Sequence, residues 1–241
     1  MKLHQALFPV PVLRISVSLL AIAGLLAGTM ATATADEASI ARGGRLYDKW
    51  WAVNEAEKPT ETHPAYPGEN YKGDATWRCK ECHGWDLQGK DGAYSEGKHA
   101  TGIAGVQGYA GKDPAAVAAI IRDQTHGYTP AMLTDADVMD LANFIANGQV
   151  DMHQYVDYPS LKSKGDAAQG KVYFDTICAG CHGVDGKKVA DADPLGSVAS
   201  NGPEMMSKVL NGQPGEAMPA LRALDHQIAA DIVAHLQTLP R

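Results

Sequence analysis

Aromatic residues are scarce in this sequence. Phe, Trp and Tyr make up 7% of its 241 residues, and Phe144 and Phe174 are the only Phe beyond Phe8. A core built from so few large rings needs another apolar centrepiece. Cysteine is equally sparse: four in so long a chain exclude a disulfide scaffold. Positive charge is short, with 21 Lys+Arg against 28 Asp+Glu and a net charge of −7. That balance argues against a nucleic-acid binder, which usually carries a basic face. Long apolar runs are missing too. The longest, Ile15–Ala27, is shorter than the ~20 residues a bilayer span needs. What remains is ordinary globular composition, 45% hydrophobic and 20% charged, of a length that suits one to two domains.

The short apolar run has a use. Lys2 and Arg14 are the only Lys, Arg, Asp or Glu in the first 35 residues, and Ala33-Thr34-Ala35 follows as an A-x-A cleavage site. This is the layout of an export signal over 1–35, cleaved after about Ala35. Its removal leaves 19 basic against 28 acidic residues, a net charge of −9, and no segment that would insert stably in a membrane. The expected address is the periplasm. In an oxidising compartment free thiols tend to pair, so the four Cys need a covalent fate.

They fall in two tight pairs, Cys79-Lys-Glu-Cys82-His83 and Cys178-Ala-Gly-Cys181-His182. Both read C-x-x-C-H, the attachment pattern of c-type haem. Residues i and i+3 of a helical turn face the same side. Two thiols so placed can bond the two vinyl groups of one porphyrin, and the following His can ligate its iron. A zinc ribbon would bring its two pairs within 15–20 residues of each other, and plain disulfides would not explain a His after each pair. Two covalently bound haems are expected, anchored by Cys79 and Cys82 and by Cys178 and Cys181, with His83 and His182 on the irons.

The repeat extends beyond the motifs. Gly165–Ile177 precedes the second site as a helix, with Val172, Tyr173 and Ile177 on one face, and Ala38–Trp51 precedes the first, with Leu46, Tyr47 and Trp50. An insert of about 52–78 with Pro59, Pro64 and Pro67 separates the first helix from its motif and reads as a loop. Each unit closes on a helix. In the first it is Thr134–Asn147, with Thr134 and Asp137 as the cap and Val138, Leu141, Ala142 and Ile145 inward. In the second it is Asp225–Leu239, with Ile228, Ile232, Val233 and Leu236 inward. The polar stretch 149–164 reads as a linker, giving units at 36–148 and 165–241.

A starting helix, C-x-x-C-H, a loop with a Met and a closing helix resemble the small class I cytochromes c. Two in tandem behind an export signal look like a diheme periplasmic cytochrome. The resemblance covers nearly all of the exported chain, and the first unit departs from it through its insert. It implies an all-α fold of two tandem class I cytochrome c domains, each a few helices round a haem. It also implies that each loop before the last helix supplies a Met to the iron, a soft thioether that raises the potential. In the second unit that residue is Met218, beside Pro219 in a Gly/Pro-rich loop, with Met205 and Met206 as helix-borne rivals. In the first it is Met132, with His126 as the alternative and His99 as a weaker rival. Met139 reads as core packing, His63 and His153 as loop residues, and His226 and His235 as exposed helix residues. Trp77 and Trp85 flank the first motif and are expected to pack on the porphyrin.

These readings point to electron transfer between redox protein partners, the acidic charge suiting basic docking patches. Such encounters are small and transient, often under ~1,200 Å². One alternative is the cytochrome subunit of a periplasmic dehydrogenase or respiratory complex. Another is a diheme redox enzyme with one open iron. With all four Cys used as anchors, a carrier is expected rather than a catalyst.

Overall fold

The computed structural model describes residues 37–241. The expected export signal over 1–35 and its expected cleavage site after Ala35 lie outside them. The described residues belong to one compact unit, 35–241, in which two hydrophobic cores form.

The elements in chain order are α1 (Glu37–Val53), α2 (Cys79–His83), α3 (Pro114–Ile121), α4 (Asp135–Asn147), β1 (Val156–Asp157), β2 (Lys162–Ser163), α5 (Ala167–Tyr173), α6 (Ala179–His182), α7 (Leu195–Val198), α8 (Gly202–Asn211) and α9 (His226–Leu236). The chain is mostly helical. Each motif sits on a single helical turn, α2 or α6, and a π-helical turn over Phe174–Cys178 leads from α5 into α6.

α1 crosses α4 in the first half and α5 crosses α9 in the second, and the two crossings share one design. A Cβ on Gly43 would lie 2.1 Å from the Asp140 carbonyl oxygen, and one on Gly170 would lie 1.8 Å from that of Asp231. Only glycine permits backbones to approach so closely. Four residues further along each helix an aromatic pair seals the crossing, Tyr47 on Phe144 at 5.4 Å and Phe174 on His235 at 5.3 Å. The closing helices start as their sequences indicate. Thr134 and Asp137 form a reciprocal capping box on α4, and Asp225 caps α9.

Several expectations change in the structure. The stretch 149–164 is no loose linker: β1 and β2 pair antiparallel, and Met152 and Val156 enter the second core. His235 is buried against Phe174 rather than exposed, because α9 turns that face toward α5. Met139 is exposed rather than packed in the core, and Val172 and Ile177 are exposed while Phe174 fills the core in their place. Met205 and Met206 are buried on α8.

The halves meet along a polar seam. Arg45 donates to the Asn211 carbonyl at 2.9 Å, and buried Arg222 donates to Asn211 Oδ1 and to the Gly148 carbonyl, both at 2.9 Å. Trp85 lies in this seam, fully enclosed, with the ammonium groups of Lys80 and Lys208 each 5.2 Å from its ring centre. Its expected place against a porphyrin is therefore not the one it occupies.

Candidate functional site

α1 positions the first motif. Tyr47 donates its hydroxyl to the Gly84 carbonyl at 2.8 Å, closing the turn behind His83. Arg78, just ahead of Cys79, pairs with the Asp48 side chain and donates Nε to its carbonyl at 2.7 Å. Trp50 donates to the Trp77 carbonyl at 3.1 Å, and Tyr128 to the same oxygen at 2.8 Å. The motif helix is thus held at both ends by residues of other segments.

The two motifs share a backbone. After each His the chain turns at a glycine with positive φ: Gly84 at φ 77°, ψ 159° and Gly183 at φ 75°, ψ 156°. Each His carbonyl then accepts an amide from six residues on, Gly89 at 2.8 Å and Lys188 at 2.9 Å. A left-handed residue is needed at that turn, which suits glycine. The pattern C-x-x-C-H-G is therefore a structural repeat as well as a sequence one.

Cys79, Cys82 and His83 open into a cavity of ≈ 280 Å³. Val106, Val117, Ile121, Leu141 and Ile145 line its apolar walls, and Tyr47, Tyr109 and Tyr128 supply the rings. No motif or periodicity in the sequence marks Tyr109 or Tyr128. Tyr128 follows a glycine in the loop ahead of α4, where no periodicity marks it. Trp77 packs on His63 and Tyr128 instead of lining the cavity. An apolar cradle with two thiols and an imidazole at one edge fits a covalently held haem.

The donors are tuned by burial. It pushes the Cys79 thiol up to about 11 and the Cys82 thiol up to about 12, with Cys79 and Glu81 adding to the latter. It pulls the His83 imidazole below its usual value, against the raising effect of a hydrogen bond to Ala104. His83 Nδ1 sits 2.8 Å from the Ala104 carbonyl, so Nδ1 carries the proton and the Nε2 lone pair is available to a metal.

The other sequence candidates of the first half divide. His126 lines the cavity, its ring centre 6.3 Å from that of His83. Met132 packs half-buried against the core of the first half, and its carbonyl accepts from Asn54 Nδ2 at 2.8 Å. His99 is engaged at both nitrogens, Nδ1 with buried Glu81 at 3.2 Å and Nε2 with the Tyr71 hydroxyl at 3.2 Å. His63 lies in a loop of the insert, as expected, and is buried there.

In the second half, Cys178, Cys181 and His182 share the turn formed by the π-helical segment and α6. Burial pushes the Cys178 thiol up to about 11 and lowers the His182 imidazole. Val172, Ile177 and Val184 bracket this motif with exposed apolar surface, Val172 at 59% and Val184 at 70%. Exposed apolar side chains on both sides of the motif in sequence fit a porphyrin held on the Cys pair. Met218 lies half-buried in the loop between α8 and α9. Two backbone bonds tie that loop to α8, Leu221 to Val209 and Arg222 to Leu210, both at 3.1 Å. Gly212, at φ 88°, lets the Met218 carbonyl approach; a Cβ there would lie 2.7 Å from it.

Among the described residues no group of three or more His, Cys, Asp and Glu side chains gathers in one place to hold a bare metal ion, and all four thiols are unpaired. The two Cys pairs therefore do not assemble into one zinc site. No helix among them is long and apolar enough to cross a membrane.

The class follows from these sites and from comparison with known families: the findings support a c-type cytochrome, with covalently held haem and haem-based electron transfer. In particular, residues 71–149 match the cytochrome c family, and residues 165–236 match cytochrome c oxidase, cbb3-type, subunit III. No curated protein matches the chain.

Proposed function

We propose that the chain is a periplasmic diheme cytochrome c that passes electrons between redox protein partners. One observation carries this reading: the same C-x-x-C-H-G turn, with the same backbone angles at Gly84 and Gly183, occurs once in each segment that matches a cytochrome family. Haem, when bound, supplies a one-electron iron couple. The chain's own part is to hold and insulate it. Cys79 and Cys82 anchor one group and Cys178 and Cys181 the other, with His83 and His182 as iron ligands. Met218 would supply the second iron ligand in the second half, a role supported by its place in a loop that α8 holds by two backbone bonds. The net charge of −9 after signal removal favours docking on basic patches.

Haem counting tests this reading. The protein purified from a periplasmic fraction should carry two haems per chain, falling to one in Cys79→Ser/Cys82→Ser and in Cys178→Ser/Cys181→Ser. A native chain with a single haem would overturn the diheme reading.

A second reading is a subunit of a respiratory complex. The match of residues 165–236 to a cbb3-type oxidase subunit favours it. Co-purification of a stoichiometric second polypeptide in mild detergent separates it from a free carrier.

A further inference from the structure

The first cavity holds a second imidazole besides that of His83. His83 and His126 both line this cavity, with ring centres 6.3 Å apart and planes 30° apart. A metal–imidazole bond of about 2.0–2.1 Å, with ~1.1 Å from ring nitrogen to ring centre, puts two imidazoles on opposite sides of one metal about 6.3 Å apart. The observed separation is that distance.

The hydrogen bonds agree. His83 Nδ1 is held by the Ala104 carbonyl at 2.8 Å and His126 Nδ1 by Asp123 Oδ1 at 3.0 Å. Metal-binding His residues use their other nitrogen in this way, on a carbonyl or a carboxylate. Each ring is left with Nε2 as its free donor. Asp123 Oδ1 also accepts the amides of Thr125 and His126, both at 2.9 Å, which fixes the turn that carries the ring.

The insert holds the same loop from the other side. Buried His63 accepts the Ala65 amide at Nδ1, 3.1 Å away, so its proton lies on Nε2. Nε2 donates to the His126 carbonyl at 2.9 Å. The His63 ring is itself wedged on Trp77, 4.3 Å between centres. Met132, six residues on, is packed against the α1/α4 core instead of lining the cavity.

We infer that His126, and not Met132, is the sixth ligand of the first iron, which makes that centre bis-imidazole. The inference rests on the proposal that haem is attached at Cys79 and Cys82. A thioether raises a haem potential and an imidazole does not. The first centre then lies at lower potential than a His/Met centre at Met218, and an electron shared between the two settles on the second.

Axial-ligand spectroscopy of the purified two-haem protein tests the inference. The ferric protein should show a single thioether-to-iron charge-transfer band, lost in Met218→Ala and unchanged in Met132→Ala. His126→Ala should make one iron high-spin and able to bind CO when reduced. His126→Met, which keeps a ligand in place, should add a second thioether band and raise the lower of the two potentials. Loss of a low-spin signal in Met132→Ala, with none in His126→Ala, overturns the inference. So does a native first iron that already binds CO. A chain with no haem on Cys79 and Cys82, seen by peptide mass, overturns the underlying proposal together with it.

Discussion

Lys208 Nζ on α8 lies 2.9 Å from Asp48 Oδ2 on α1, and Arg78 holds the other oxygen of the same buried carboxylate. Burial alone would push this carboxyl up. Lys208 and Arg78 outweigh it and hold the group below the usual carboxylate range. A depressed carboxylate stabilises above its unfolded pKa of about 3.9 and loses that contribution as pH falls through its folded value. Asp48→Asn should therefore cost up to about 3–5 kcal/mol at pH 7, because it removes the carboxylate that both cations share and leaves Arg78 only Glu81 at 3.9 Å and Lys208 only Glu204 at 4.0 Å. In urea unfolding the gap from the native protein should narrow as pH falls below about 3.9, where the unfolded carboxyl takes up its proton and the native Asp48 progressively loses its advantage.

The glycine crossings make a paired prediction. Gly170→Ala and Gly43→Ala each drive a methyl into a carbonyl of the facing helix. Each should lose at least about 1–3 kcal/mol, the usual cost of overpacking. Gly108→Ala meets nothing within 4 Å and should stay within about 0.5 kcal/mol of native. Equal stabilities for all three variants in denaturant titration would contradict the crossing geometry.

Thr134→Ala removes one half of the capping box of α4 and should cost about 1 kcal/mol. Asp137→Asn should cost more, because Asp137 also pairs with Arg42 at 2.5 Å. The order of the two midpoints in thermal unfolding checks the assignment.

His235 is buried, its Nε2 has no hydrogen-bond partner, and burial lowers its pKa. The unfolded chain then binds the proton more readily than the folded one below about pH 6.5, so acidification costs stability. His235→Phe should flatten the fall in stability as pH drops below about 6.5. An unchanged slope would place the pH dependence on other groups.

Much of this was legible in the chain. The capped, periodic helix α4 and the two motif turns follow from local signals: a Thr/Asp box, a 3.6-residue period and a fixed C-x-x-C-H spacing. Other features depend on partners distant in sequence. Two-residue strands carry no periodicity, so the burial of Met152 and Val156 could not be read from 149–164. Trp85 beside a motif gives no hint that Lys208, far along the chain, caps its ring. His126 and Met132 share one loop, and which of them turns into the cavity depends on Asp123 and on His63 of the insert. Sequence order does not encode that choice.

The seam through Arg222 has a consequence for cooperativity. Burial lowers its guanidinium to about 10, and it spends two of its donors on Asn211 and on the carbonyl that ends α4. Melting either half breaks the Arg222–Gly148 bond and opens the seam to water. Heat should thus be absorbed in one calorimetric peak despite the two cores. Fragments severed at the 148/149 bond should each be less stable than the parent, so that what began as a repeated module is no longer a modular one.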